Sequence, residues 1–372
     1  MNILMQCIYF PPEFGGLESH VYYLCRDLVD LGHDVTMVTS RSKPGVPRMQ
    51  TMDGIRVIRT WFPSRNPLGW MAHTAGSFPV YLREARRATV LHAQTFASAP
   101  PGMLSKRMRG QPLVLTLHTS HFLRLARKPR WQPILRRIIQ SADWLLAASE
   151  EIRDVALGLY PHPHAEALTN GVDTNLFRAV EPALPGRNGM YRVIVPRRLF
   201  EKNGVEYLVR AMPHMLEKVA VEAVIVGDGP LRGQLEQLAR ELGVADSIVF
   251  AGARPNAEMP GILSSGDVVV IPSLMEATSV AALEAMSCER PVAASRVGGL
   301  PEIIDESVGT LFEPGNPKDL ADHVVALLER PDRAALGAEA RTRVVQRWSL
   351  RRLALRHVEI YQHLLHERGK AA

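Results

Sequence analysis

Short apolar runs placed at regular intervals, with helically spaced segments between them, restrict the fold of this chain more than any other feature. Residues 3–8 (ILMQCI) and 35–39 (VTMVT) are apolar enough for the central strands of a parallel sheet, covered on both faces. Between them Val21, Leu24, Leu28 and Leu31 recur at helical spacing, and Gly32-His33 ends the helix. This is a βαβ opening, and further strands are expected near 55–59, 89–92, 113–117 and 144–147. The stretch 179–190 (AVEPALPGRNGM) reads as a linker. The alternation then restarts with strand 192–196, helix 204–217, strand 222–226, helix 231–242 and strands 248–250 and 267–271. Two doubly wound α/β domains meeting at a cleft fit this pattern better than one continuous sheet.

The stretch from Ile271 to Ile303 reads as a strand end, a turn, a helix of small residues, a second strand (Pro291 to Ser295) and a glycine turn. Glu276 and Glu284 lie eight positions apart, a rise of roughly 12 Å if both are helical. Carboxylates so placed suit the two ends of an extended ligand. Backbone N–H groups of Ser279, Val280 and Ala281 at the helix start are free for an anion between them. A nucleotide diphospho-sugar has that pattern of hydroxyl, phosphate and hydroxyl. An amphipathic helix whose glutamates face water gives the same spacing.

Other candidate positions follow from element boundaries. Gly15-Gly16 stand where the first strand hands over to a helix, where backbone can approach a ligand; a plain tight turn explains them equally. His118 follows the strand LVLTL and so falls at the carboxyl end of the sheet. Arg198 and Lys202 follow the first strand of the second domain and could grip phosphate, or be two ordinary surface charges. Gly227-Asp228-Gly229-Pro230 is a strand-to-helix turn facing the cleft and lacks the GxGxxG spacing. Arg254 lies in a loop, Gly252-Ala253-Arg254-Pro255, that a surface turn would also explain.

Charge is unevenly distributed. Residues 1–178 hold 21 Lys and Arg against 13 Asp and Glu, and residues 85–142 hold eleven Lys or Arg with no acidic residue. A field of one sign attracts an anionic partner such as a membrane surface or a phosphorylated acceptor, with nucleic acid not expected. The segment 124–137 carries six of these charges with Trp131; a solvated helix face is the alternative. Residues 61–81 carry Trp61, Phe62, Trp70, Phe78 and Tyr81 among prolines and glycines without a clear period, and read as an acceptor-side or membrane-facing loop, or as packing beneath a long loop. Cys7, Cys25 and Cys288 form no metal-spaced set, which suits a reducing compartment. The segment MNILMQCIYFPP reads as a first strand and not a signal peptide, so the expected location is the cytoplasm, with the inner face of the membrane as an option.

Glu276, seven residues, then Glu284-Ala285-Met286, followed by Gly298-Gly299-Leu300-Pro301-Glu302, resembles the nucleotide-sugar motif of glycosyltransferase family 4, retaining enzymes of the GT-B fold. Pro11-Pro12 through Gly15-Gly16, Leu117-His118-Thr119 and Asn170-Gly171-Val172-Asp173 also resemble family segments, as does the closing pattern from Trp348 through Leu353 to Leu365. The resemblance implies two Rossmann-like domains facing a central cleft: an acceptor-side domain (1–178), the linker (179–190), a nucleotide-sugar domain (191–350) and a closing helix (351–372) returning to the first domain. It implies that Glu276 holds the transferred sugar, Glu284 the ribose, Arg198 and Lys202 the diphosphate, and that His118 touches the donor. Gly15, Gly16, Asn170, Gly227, Arg254, Thr278, Ser279 and Val280 complete the candidate substrate-binding set. The chain departs from the family pattern in two places: Ala277-Thr278-Ser279 replaces a Gly-Phe-Gly type sequence, and Asn203 occupies the usual lysine slot, with Lys202 one place earlier. Neither HExxH nor an Asp-x-Asp pair of the GT-A kind is present, so catalysis without metal or cofactor is expected, on a UDP-, GDP- or ADP-sugar. The competing readings are a GT-B epimerase or inverting transferase with His20 as base, and a non-catalytic anion- or lipid-binding protein.

Overall fold

A computed structural model of the protein describes residues 1–13, 15–118, 120–168, 171–186, 189–276 and 279–371. The chain forms two compact units, Met1–Asn170 with Leu350–Ala372, and Gly171–Ser349. The first holds an eight-stranded sheet in the order β3-β4-β2-β1-β5-β6-β7-β8. Its strands are β1 (Asn2–Gln6), β2 (Asp34–Ser40), β3 (Met49–Met52), β4 (Ile55–Thr60), β5 (Val90–Ala93), β6 (Leu113–Leu117), β7 (Trp144–Ala147) and β8 (Ala165–Ala167). All pairs are parallel except β3 with β4. The central strands are buried along almost their whole length, as their unbroken apolar composition requires.

Residues Leu350–Ala371 form a helix that belongs to this first unit and packs beside the helix Gly16–Asp30. Leu353, Ile360, Tyr361 and Leu364 enter the same core as Ile3, Val21, Leu24 and Val35. The buried Tyr361 hydroxyl bonds His92 Nδ1 at 2.6 Å, and Arg356 pairs with Glu166 at 2.7 Å. The segment expected to be irregular, 61–81, is corrected by the structure: Pro67–Glu84 is a helix. Proline at its start matches the fixed φ of a first helical turn, and Asn66 caps it by accepting from Gly69 N at 2.8 Å. Pro79 inside the helix and two glycines blur its periodicity, while Tyr81 is fully buried and Trp61 exposed.

The second unit holds an all-parallel six-stranded sheet in the order β11-β10-β9-β12-β13-β14. Its strands are β9 (Tyr191–Val195), β10 (Val221–Val226), β11 (Ile248–Gly252), β12 (Val268–Ile271), β13 (Val292–Ser295) and β14 (Gly309–Phe312). Helices cover both faces, with separate apolar clusters around Val193–Ile225 and around Ile194–Ile271. The proline-rich segment before β9 is tied to this unit by Val180 N to Ser264 Oγ (3.2 Å), Ala183 N to Gly261 O (3.0 Å) and Leu184 N to Ser265 Oγ (3.0 Å). Arg192 completes the attachment: buried in β9, it donates to Pro185 O at 2.7 Å and to Glu222 of β10 at 2.6 Å. Among the described residues, no helix is long and apolar enough to cross a membrane.

The Arg192–Glu222 pair yields a direct test. Glu222→Ala leaves a buried guanidinium with carbonyl partners alone and is expected to lower stability by about 3 kcal/mol, read as an earlier urea transition. Unchanged unfolding would mean that the carbonyls of Pro185 and Ser265 suffice for Arg192.

Candidate functional site

In a parallel sheet every strand points the same way, so the loops after β9, β10, β12 and β13 leave the second unit at one edge. These loops touch through their backbones. A Cβ at Gly227, directly after β10, would stand 2.1 Å from Arg197 O, and one at Gly229 would stand 2.4 Å from Leu199 O. Gly204 has φ 63°, and a Cβ there would meet Pro272 O at 1.9 Å. Hydrogen bonds follow the same route: Leu199 N to Asp228 O (3.0 Å), Leu274 N to Lys202 O (2.9 Å) and Met275 N to Lys202 O (3.2 Å).

Two neighbouring arginines leave this frame in opposite directions. Arg198 is exposed, its guanidinium 5.8 Å from the Phe200 ring centroid, and Lys202 is exposed on the same loop. Among the described residues neither side chain has a carboxylate partner, so both cations are available to an anion. Asn203, in the slot where the family pattern has lysine, is buried and donates to Arg198 O at 2.6 Å. Arg197 turns inward, and its Nη2 donates to Ser273 Oγ and Glu276 Oε2 and to Asn203 Oδ1 at 3.3 Å. Sequence reasoning noted Asn203 only as the residue in the lysine slot and passed over Arg197; the displaced lysine was the available signal.

Glu276 lies ahead of the helix Val280–Ser287 and not on it, so the helical separation expected between Glu276 and Glu284 does not apply. Ser279 caps this helix, accepting from Ala282 N at 3.3 Å, which leaves Val280 and Ala281 as first-turn amides without helical acceptors. Glu284 is partly buried on the helix with no side-chain partner among the described residues, and burial pushes its carboxyl up to about 8. Arg254, on the loop after β11, donates to Ala251 O at 3.2 Å and faces Glu258 at 3.7 Å, beside a cavity of about 590 Å³ that also touches Arg178, Leu184 and Ile262. Two candidate positions, Asn170 and Thr278, lie outside the described residues.

In the first unit, His118 follows β6 and is buried, with Nε2 2.8 Å from Gln94 Oε1, an arrangement in which Nε2–H donates. Gln94, fully buried after β5, was not anticipated. The His20 ring lies 5.1 Å from that of His118, and burial, then the neighbouring His118 and His357, push its pKa well below the ordinary imidazole value. His92 serves the core, between Tyr361 and Thr116. Gly15 precedes the helix with extended backbone, and a Cβ at Gly16 would meet nothing within 4 Å among the described residues. Internal packing therefore does not require glycine at 16. The preceding loop is pinned by Glu13, which accepts from Ser42 Oγ at 2.6 Å and from Arg65; burial opposes its ionisation, but these partners hold its pKa below the usual value.

The basic segment occupies the helices Ser120–Ala126 and Gln132–Ser141 and the short turn Pro129–Trp131 between them. Arg124, Arg127, Lys128, Arg130, Arg136 and Arg137 are all exposed. Among the described residues none of them pairs with a carboxylate, and Arg136 and Arg137 line a concavity of about 580 Å³ with Gln132 and Gln140.

The profile described as Glycosyltransferase Family 4 matches residues 14–176, and that described as Glycosyl transferases group 1 matches residues 191–330. A GDP-mannose-dependent alpha-(1-6)-phosphatidylinositol monomannoside mannosyltransferase from Mycobacterium tuberculosis is 30% identical over 362 residues, covering 91% of this chain and 92% of the relative. Among solved structures, sucrose-phosphate synthase from Thermosynechococcus elongatus superposes with a TM-score of 0.85 at 22% identity, covering 98% of this chain and 99% of that one. Anabaena HepE in complex with UDP-glucose superposes with a TM-score of 0.75 at 20% identity, covering 98% and 100%. These two superpositions give the fold as GT-B.

The raised pKa of Glu284 makes stability depend on pH. Its native value of about 8 exceeds the ordinary 4.5, so between these values the native state binds the extra proton and stability falls as pH rises, levelling above about 8. Glu284→Gln removes this dependence. The melting temperature of the variant relative to wild type is expected to rise by at least about 2 °C between about pH 6 and pH 9. A difference independent of pH would mean that Glu284 is ionised in the folded protein throughout.

Proposed function

The chain belongs to glycosyltransferase family 4, and within that family we propose that it moves a hexosyl group from a nucleotide diphospho-sugar to a hydroxyl of an anionic, lipid-linked acceptor, with retention at the anomeric carbon and without a metal ion. One observation carries the reading: the same sheet edge presents two cations, Arg198 and Lys202, with no carboxylate partner among the described residues, and the carboxyl groups of Glu276 and Glu284. The cations stabilise the charge that grows on the diphosphate as it leaves from the face the acceptor enters. Val280 and Ala281 N–H groups take the remaining phosphate charge at the helix start. Glu284 receives the ribose hydroxyls and Glu276 those of the sugar. The nucleotide-sugar donor is supported by the UDP-glucose complex of Anabaena HepE, and the lipid-linked acceptor by the phosphatidylinositol-directed name of the mycobacterial relative.

His20 supports a second reading, inversion with His20 as base, because burial keeps its imidazole neutral, the form a base needs. The anomeric configuration of the product, read by proton NMR, separates the two: retention supports the first, inversion the second.

Calorimetry with UDP, GDP and ADP, followed by turnover of the matching nucleotide sugars, tests the donor site. Glu284→Ala is expected to weaken nucleoside diphosphate binding by about 1–3 kcal/mol, whereas Arg198→Ala lowers kcat more than donor affinity, since leaving-group charge is greatest in the transition state. An Arg198→Ala variant altered in affinity alone would make this arginine a binding group only.

The basic helices test the acceptor side. With roughly 1 kcal/mol per basic residue near an anionic surface, the protein is expected to sediment with phosphatidylserine vesicles at low salt and to be released as salt rises. Arg124, Arg127, Lys128 and Arg130 changed together to Gln should abolish this. Equal sedimentation with phosphatidylcholine vesicles would remove the electrostatic contact.

A further inference from the structure

We infer that Arg197 is a positioning residue for Glu276: it holds the carboxylate that receives the transferred sugar, so that recognition of the sugar runs through a guanidinium that touches no substrate. This rests on the donor-site reading above and extends it to a residue outside the sugar's reach. Arg197 Nη2 donates to Glu276 Oε2, and their side chains are only 11% and 16% exposed. The same nitrogen reaches the buried Ser273 Oγ, itself 3.4 Å from Glu276 Oε2, and Asn203 Oδ1 at 3.3 Å. Among the described residues only Oε2 of the glutamate is engaged, which leaves Oε1 for hydroxyls. The carbonyl of Arg197 lies so close to Gly227 that a Cβ there would stand 2.1 Å from it, which packs this backbone against the loop after β10.

The same geometry accounts for the asparagine at 203. A lysine there would place an ammonium against the Arg197 guanidinium inside the loop. The amide instead accepts from Arg197 and donates to Arg198 O at 2.6 Å, linking Asn203 through Arg197 to Glu276. The cation for the diphosphate is then Lys202, exposed one place earlier. Ser273, Asn203 and Glu276 are all reached by the single nitrogen Nη2, so a lysine at 197 keeps the charge and part of this bonding but not the length and shape of the guanidinium.

The test uses Arg197→Met, Arg197→Lys, Glu276→Gln and the double variant Arg197→Met with Glu276→Gln, all in the full chain. Affinity is measured for UDP and GDP, turnover for UDP-glucose, UDP-galactose and GDP-mannose, and folding by melting temperature. Arg197→Met is expected to lower kcat about 10- to 100-fold and to narrow the preference among sugars, with diphosphate affinity changed by less than about 2-fold. The double variant should be no worse than Glu276→Gln alone, because the two residues act as one unit. Arg197→Lys should recover part of the turnover, and where Arg197→Met melts early this folded variant must show the same division between turnover and affinity. Additive losses in the double variant, or diphosphate affinity lost with Arg197→Met, overturn the inference while the donor site stands. Wild-type protein that binds none of the nucleotides overturns the functional reading and the inference with it.

Discussion

The close approach of Gly227 to the carbonyl of Arg197 is the constraint on which the second unit's functional edge depends. With a Cβ 2.1 Å from that oxygen excluded, the loops after β9 and β10 lie backbone against backbone, and Gly204 brings the loop after β12 into the same stack. Only then can Arg197 turn inward to Glu276 while Arg198 and Lys202 remain in water. Loops so tied hold charge in fixed places, which is what stabilising a departing diphosphate requires, since dipoles and cations that need not reorganise act most strongly.

Much of the architecture was legible because wholly apolar strands can lie only inside a parallel sheet. The strands near 3–8, 35–39, 113–117 and 144–147 agree with β1, β2, β6 and β7, and the second series agrees equally well from β9 to β13. The strands that escaped notice lack this signature. Met49–Met52 is a half-exposed edge strand, Ala165–Ala167 has only three residues, and Gly309–Phe312 begins with glycine. The helix Pro67–Glu84 was hidden by Pro79 and its glycines, which break the apolar period without breaking the helix in this packed setting.

The geometry around the candidate residues was only partly legible. Spacing singled out Glu276 and Glu284 but assumed a common helix, whereas the chain enters its helix only at Val280. A residue's partner is a tertiary fact: nothing in Arg197-Arg198 says which guanidinium faces inward, and that is decided by Gly227, Ser273 and Asn203, up to 76 positions away. Gln94 escaped for the same reason, since its bond to His118 joins the ends of adjacent strands 24 positions apart.

The placement of residues Leu350–Ala371 has a consequence for how the molecule is made. Tyr361 and Leu364 complete a core begun by Ile3 and Val21, with the entire second unit lying between them in sequence. During synthesis the second unit, continuous from Gly171 to Ser349, can close as soon as it emerges. The first unit, although most of it is made earlier, keeps an apolar face and the buried His92 open until residue 364 has left the ribosome. Chain order and folding order are therefore reversed, and a break near residue 350 would damage the unit at the opposite end of the sequence.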